Sequence, residues 1–178
     1  MVKLMLRDFN LLATTFRGSE RDACSELQYL LGQIGDNASA VDRTGISGLI
    51  AAKTVLDPFE AIEKFREILQ EHPYEFRYVL RVVPIEKVVH TDLVEIERMA
   101  ILLGKKIEEN EKFRITVEKR FSGTSTQEII QSAAENIKRK VDLNKPDKIL
   151  LIEVVAGLTG VSVIRPNGIL STMKEKVL

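Results

Sequence analysis

Residues 140–164, "KVDLNKPDKILLIEVVAGLTGVSVI", set a polar run holding two carboxylates and a proline directly against two apolar runs. The apolar runs predict strands at about 148–156 and 159–165, joined across "AGLTG", with "ILLIEVV" buried. Asp142 and Asp147 bracket "LNKP". Two carboxylates in acid/base work must converge on one substrate atom in environments that separate their pKa values. Asp and Asn beside a proline more simply form a turn, because their side chains bond nearby amides while the ring fixes φ. Pro146 pushes Lys145 toward extended geometry, so Asn144 and Lys145 are expected to project from the loop.

Working backward, "STQE" offers Ser125 and Glu128 as a capping box for a helix running through Lys140. One face of that helix collects Ile129, Ile130, Ala133, Ala134, Ile137 and Val141. Before it, "FRITVEKRF" alternates, with Phe113, Ile115, Val117 and Phe121 inward and Arg114, Thr116, Glu118 and Arg120 outward. Lys119 falls in the inward phase, so either the strand end has left the core or the side chain snorkels out of it. Further upstream, a helix with the stripe Leu93, Ile96, Ala100, Leu103 and Ile107 is expected, capped by Thr91, after a connector "PIEKVVH".

The first half reads as a strand at 9–16, a helix capped by Ser19 and stopped by Gly35, and two strands near 38–43 and 47–54. A second helix follows, with Asp57 as cap, Pro58 at its first position and Glu60 three residues on. A strand "EFRYVLRVV" closes the half. The order βαββαβ over the first 84 residues predicts a ferredoxin-like unit. The fold class is therefore α+β, with domains at 1–84 and 85–178.

Of the 178 residues, 44% are apolar and 29% charged, which describes a soluble globular protein. Arg7 and Asp8 interrupt the first apolar stretch, so no signal peptide is expected, and no run suits a membrane span. One cysteine builds no disulfide framework, and Cys24 falls in the apolar phase of its helix. A cytoplasmic address follows. Net charge is zero, but residues 112–148 hold 9 Lys and Arg against 5 Asp and Glu, so a polyanion would meet a local patch.

Signatures of catalysis are absent. No GxxxxGK[ST], GxGxxG or GxSxG occurs, and the two histidines, His72 and His90, belong to no metal-ligand spacing. Neither enzymatic activity nor a cofactor is expected. The run Lys138, Arg139 and Lys140 closes a predicted helix, where the dipole stabilises cations by ~0.3–1 kcal/mol. Lys105 and Lys106 fit the same plain explanation. Lys119, Arg120, Lys145 and Lys148 also sit at element ends that could converge with this run.

The pieces "RYVLRVVPIEKVV" and "FRITVEKRFSGTSTQEIIQSAAENIKRKVDLNKPDKILLIEVVAGLTGVSVI" together resemble the THUMP domain, an RNA-binding module of several tRNA-modifying enzymes. "KVDLNKPDKILLIEV" and the closing "GVSVI" are its most distinctive parts here. The resemblance covers roughly residues 85–170, and "LLATTFRGSERDACSEL" is similar to the ferredoxin-like domain that precedes THUMP in such proteins. With few residues after "GVSVI", no appended methyltransferase or synthetase domain is expected. The resemblance implies a non-catalytic adaptor that grips the acceptor stem and 3′ end of tRNA. Its implied partner is a tRNA cytidine acetyltransferase, and its product 4-acetylcytidine. The implied RNA contacts are Arg17, Lys119, Arg120, Lys138, Arg139, Lys140, Asn144, Lys145, and Gly160 and Ser162 in a turn at 160–162.

Two alternatives stand beside this. One is a small-ligand regulatory protein using the Gly157 to Gly160 turn. The other is a hydrolase using Asp142 and Asp147.

Overall fold

The computed structural model describes residues 7–176. They form an α+β protein with two five-stranded sheets and five α-helices. The chain divides into two compact units: Glu86–Asn167 forms one, and the residues before and after it form the other.

The first unit contains β1 (Leu11–Thr14), α1 (Glu20–Gln33), β2 (Ala40–Arg43), β3 (Leu49–Lys53), α2 (Pro58–Glu71) and β4 (Arg81–Pro84). After the second unit, the chain adds β10 (Leu170–Ser171) and α5 (Thr172–Glu175). The sheet order is β10-β4-β1-β3-β2, antiparallel throughout. Strand alternation sends Leu11, Ala13, Ile50, Ala52 and Val82 into one core with Leu27, Leu30 and Leu31 of α1 and Ile62, Phe65 and Leu69 of α2. Asp57 caps α2 as its sequence suggests, accepting from the amides of Phe59 (2.8 Å) and Glu60 (3.1 Å). Ser19 makes no side-chain cap bond, and Gly35 ends α1 with φ +108.

Two expectations change in this unit. The strand "EFRYVLRVV" begins only at Arg81, because Glu26 on α1 collects the amides of Arg77, Tyr78 and Val79 and holds that stretch out of the ladder. The tail from Gly168, read from sequence as part of the second domain, belongs to this unit: Leu170 pairs with Val82 and is fully buried in its core.

The second unit contains β5 (Lys87–His90), α3 (Leu93–Gly104), β6 (Lys112–Arg120), α4 (Thr126–Ala134), β7 (Lys140–Val141), β8 (Lys148–Val155) and β9 (Leu158–Ile164), in the sheet order β5-β9-β8-β6-β7. Strands β6 and β8 are parallel, which requires a crossover, and α4 supplies it. Ile96, Ala100 and Leu103 of α3 and Ile129 and Ala133 of α4 pack with Phe113, Leu150, Ile152, Val154, Val161 and Val163.

The "PIEKVVH" connector is a strand rather than a loop: β5 pairs with β9, and Glu86 extends this edge by accepting from the Val163 amide. Asp92, not Thr91, caps α3, accepting from Val94 and Glu95, while Glu95 returns a bond to the His90 amide. Thr91 instead donates to the carbonyl of Ala156 and meets the Thr159 hydroxyl at 2.9 Å. Helix α4 stops at Ala134, well over a turn short of Lys140. Beyond it the Ile137 side chain lies over Gly104, where a Cβ would come within 3.1 Å, so that glycine allows the two helix ends to meet. Val141, expected on the helix face, is 54% exposed in β7.

Candidate nucleic-acid interface

The polar loop of the opening stretch is a built turn. Asp142 accepts from the amides of Asn144 (3.0 Å) and Lys145 (2.9 Å), and its own amide donates to the Phe113 carbonyl. Those two amide bonds, and more weakly Lys112, hold its carboxyl below the usual carboxylate range. Asp147 accepts from the Lys112 amide and donates its own amide back to the Lys112 carbonyl. The two aspartates thus fasten opposite ends of the loop to the start of β6, Asp142 through its amide and Asp147 through both its amide and its carboxylate. Asn144 and Lys145 are exposed at its tip, and Pro146 is buried beneath them.

Around this turn the start of the parallel pair gathers cations. Lys140 stands opposite Lys112 in register, and Lys148 opposite Phe113. Arg139 donates from Nε to the Ile107 carbonyl (3.0 Å), tying the segment after α4 to the segment after α3, where Lys105 and Lys106 lie. Three of these cations have acidic partners: Lys106 with Glu86 at 2.7 Å, Lys148 with Glu111 at 2.8 Å, and Lys112 with Asp142 at 3.7 Å. The bond from Lys148 leads the causes that lower the Glu111 carboxyl, with Arg165 adding a weaker field from nearby. Lys138, Lys140 and Lys145 are exposed and carry no carboxylate partner among the described residues, and Arg139 bonds only carbonyls. None of these four lies in the last turn of a helix, so the dipole account of their clustering does not apply.

Lys119 and Arg120 lie elsewhere. Register places Lys119 opposite Val154 and Arg120 opposite Val155, seven and eight residues beyond Lys112. At ~3.3 Å per residue, the finish of β6 is about 26 Å from its start. The sequence's basic positions therefore do not converge on one patch; they occupy both ends of β6. Arg120 is half-buried, and its Nη1 meets the buried carboxylate of Glu153 at 2.8 Å. Lys119 is exposed at the strand end rather than snorkelling from a core, and its Nζ donates to the Thr124 carbonyl. Phe121, expected inward, is 72% exposed.

The remaining predicted contacts separate further. Arg17 is exposed in the loop before α1 of the first unit. Gly160 and Ser162 are not a turn: both lie inside β9, opposite Glu153 and Leu151, and Ser162 is fully buried. The turn is Ala156–Gly157, before β9. A ligand held by a Gly157 to Gly160 turn loses its loop for the same reason.

No group of His, Cys, Asp and Glu that could hold a metal occurs among the described residues, and no helix among them is long and apolar enough to cross a membrane. A polar depression of about 400 Å³ lies on the first unit between α1 and the loop after it, bordered by Gln28, Tyr29, Gln33 and Asn37. Asp36 at its edge is committed to Thr54 and to the amides of Ala38 and Val55.

Residues 90–164 match the model of the THUMP domain. No curated protein sequence matches the chain. Among solved structures, the chain is similar to PH1313 from Pyrococcus horikoshii Ot3, with TM-score 0.66, 19% identity, and 89% of this chain and 55% of that one covered. It is also similar to TrmN from Thermus thermophilus, with TM-score 0.60, 19% identity, and 89% and 47% covered. A third is a 4-thiouridine synthetase in complex with RNA and ATP, with TM-score 0.58, 16% identity, and 89% and 42% covered. At these identities the likeness is one of fold. The chain spans about half the length of these proteins, or less.

Proposed function

We propose that the protein binds tRNA through its THUMP segment and serves as a non-catalytic adaptor, presenting the acceptor stem and 3′ end to a separate modifying enzyme. The observation that carries this reading is the group Lys138, Arg139, Lys140 and Lys145, four cations without carboxylate partners among the described residues, beside an Asx turn. Cations whose charge no carboxylate neutralises are available to phosphates, and contacts of that kind position RNA without reading its sequence. The 4-thiouridine synthetase structure, a complex with RNA, supports the same direction. The order β4-β1-β3-β2, with both helices in the core on one side, supports reading the first unit as the ferredoxin-like domain that accompanies THUMP. The reaction served would be cytidine 4-acetylation, carried out by a tRNA cytidine acetyltransferase in the cytoplasm.

Mobility-shift titration with intact tRNA and tRNA lacking its 3′ CCA tests the binding. Tighter binding to the intact molecule is expected, and equal weak binding to both, unchanged when Lys138, Lys140 and Lys145 are replaced by Ala, overturns the reading. The adaptor role has its own assay. Adding the protein to a purified tRNA cytidine acetyltransferase should raise acetylation of tRNA, and no change at saturating protein removes that role.

A further inference from the structure

The finish of β6 carries a feature that phosphate binding does not use. Phe121 is the first residue past the β6–β8 ladder, whose final backbone bond runs from the Ala156 amide to the Arg120 carbonyl (2.8 Å). Its ring is 72% exposed, and its φ is +53, in the left-handed region that bulky side chains avoid. Among the described residues only one other non-glycine has a positive φ: Ala156, at the far side of that same bond.

A fold gains nothing by holding a large apolar ring in water on a strained backbone. The loop around it is braced. Lys119 Nζ reaches past the ring's own residue to the Thr124 carbonyl at 2.8 Å, and Ser122 Oγ accepts from the Thr124 amide. At Gly123 nothing lies within 4 Å of the place where a side chain would begin, so there is open space beside the ring's chain segment. The chain neighbours of Phe121 are polar: Glu118 and Lys119 are exposed, and Ser122 and Gly123 follow. An isolated ring among polar residues and a cation suits a nucleobase better than a protein surface, whose anchors sit inside a wider apolar patch.

We propose that Phe121 is a stacking platform for one unpaired nucleobase of the bound RNA, with Lys119 bracing the loop that presents it. This rests on the RNA-binding reading above and assigns a named residue to the single-stranded part of the RNA. The register distance of about 26 Å between the ends of β6 then separates a phosphate-binding end from a base-stacking end.

The test uses the full chain and two RNA hairpins, one blunt and one with a short single-stranded 3′ extension carrying 2-aminopurine. Wild-type protein should prefer the extended hairpin and quench the 2-aminopurine. Phe121→Ala should weaken binding of the extended hairpin about 5- to 150-fold, abolish the quenching and leave blunt-hairpin binding unchanged. The slope of affinity against salt should stay the same, because no phosphate contact is lost. Phe121→Trp should restore both signals. Phe121→Gly, which suits a positive φ, should melt no lower than wild type while losing the preference, so that lost binding is not lost folding. Tight binding with emission and preference indifferent to Phe121→Ala overturns this inference and leaves RNA binding standing. Failure of wild-type protein to bind either hairpin overturns both.

Discussion

The two ends of β6 begin with the same residue types and use them differently. At the finish, Arg120 is committed to a carboxylate that is 1% exposed, so its charge belongs to the fold. At the start, the backbone of the Asx turn and the carbonyl of Ile107 satisfy the surrounding groups, and Lys138, Lys140 and Lys145 are left without acidic partners among the described residues. A count of cations along the sequence treats these positions alike. What distinguishes them is whether the fold supplies a buried anion.

The largest expected effect tests that distinction directly. Arg120→Met removes a cationic partner of buried Glu153 and should cost about 3 kcal/mol of stability in urea denaturation. Lys119→Ala next door, which removes one exposed bond to a carbonyl, should change stability by ~0.5 kcal/mol or less. Equal costs at the two positions would erase the contrast.

Next in size, replacing Lys138, Lys140 and Lys145 together by Ala should leave the melting temperature near wild type. The slope of log affinity for tRNA against log salt should fall by roughly two to three units, close to one per phosphate contact. An unchanged slope would show that the start of β6 does not meet phosphate. Arg139 is left out of this variant because its Nε holds Ile107, so its loss would mix folding with binding.

Asp142→Ala should lower the melting temperature slightly and weaken tRNA binding less than the triple variant does, since it loosens the turn that carries Lys145. The direction with pH follows from its depressed pKa. The carboxylate's contribution is complete above its ordinary value and is lost as pH falls through the lower folded value. The gap in melting temperature between wild type and Asp142→Ala should therefore close on acidification. A gap that widens in acid would mean another group holds the loop.

The smallest effect lies away from both ends. Burial, and secondarily Asp42, push the Cys24 thiol up to about 11, so iodoacetamide at neutral pH should leave it unmodified in the native protein. Rapid alkylation would show that α1 opens more readily than its core contacts imply.

Local chemistry was legible in the sequence wherever it closes within a few residues. Asp57 with Phe59 and Glu60, and Asp142 with Asn144 and Lys145, are bonds of two to three residues' reach, and both are present. The order of strands and helices in the first unit followed from periodicity for the same reason. What the sequence hid depends on partners far along the chain. Ile137 continues the period of α4, yet it packs over Gly104 from the irregular segment after the helix, and periodicity cannot tell a helical residue from a non-helical one in phase. "KVVH" is too short to announce itself as a strand until β9 pairs with it. Gly160 suggested a turn because glycine favours turns, whereas here it lies opposite Glu153 inside a ladder. The division of the basic residues between two ends required the parallel register of β6 and β8, which no local pattern states.

The pairing of Leu170 and Ser171 with Val82 and Arg81 places a condition on the order in which the molecule can be completed. During synthesis from the N-terminus, the first sheet must wait for 82 intervening residues, Glu86–Asn167, before its last strand emerges. Until then β4 is an unprotected edge, and the place of Leu170 in the core is empty. A ribosome paused inside the second unit would hold a first unit complete in its βαββαβ order yet open along one side, a species suited to capture by a chaperone.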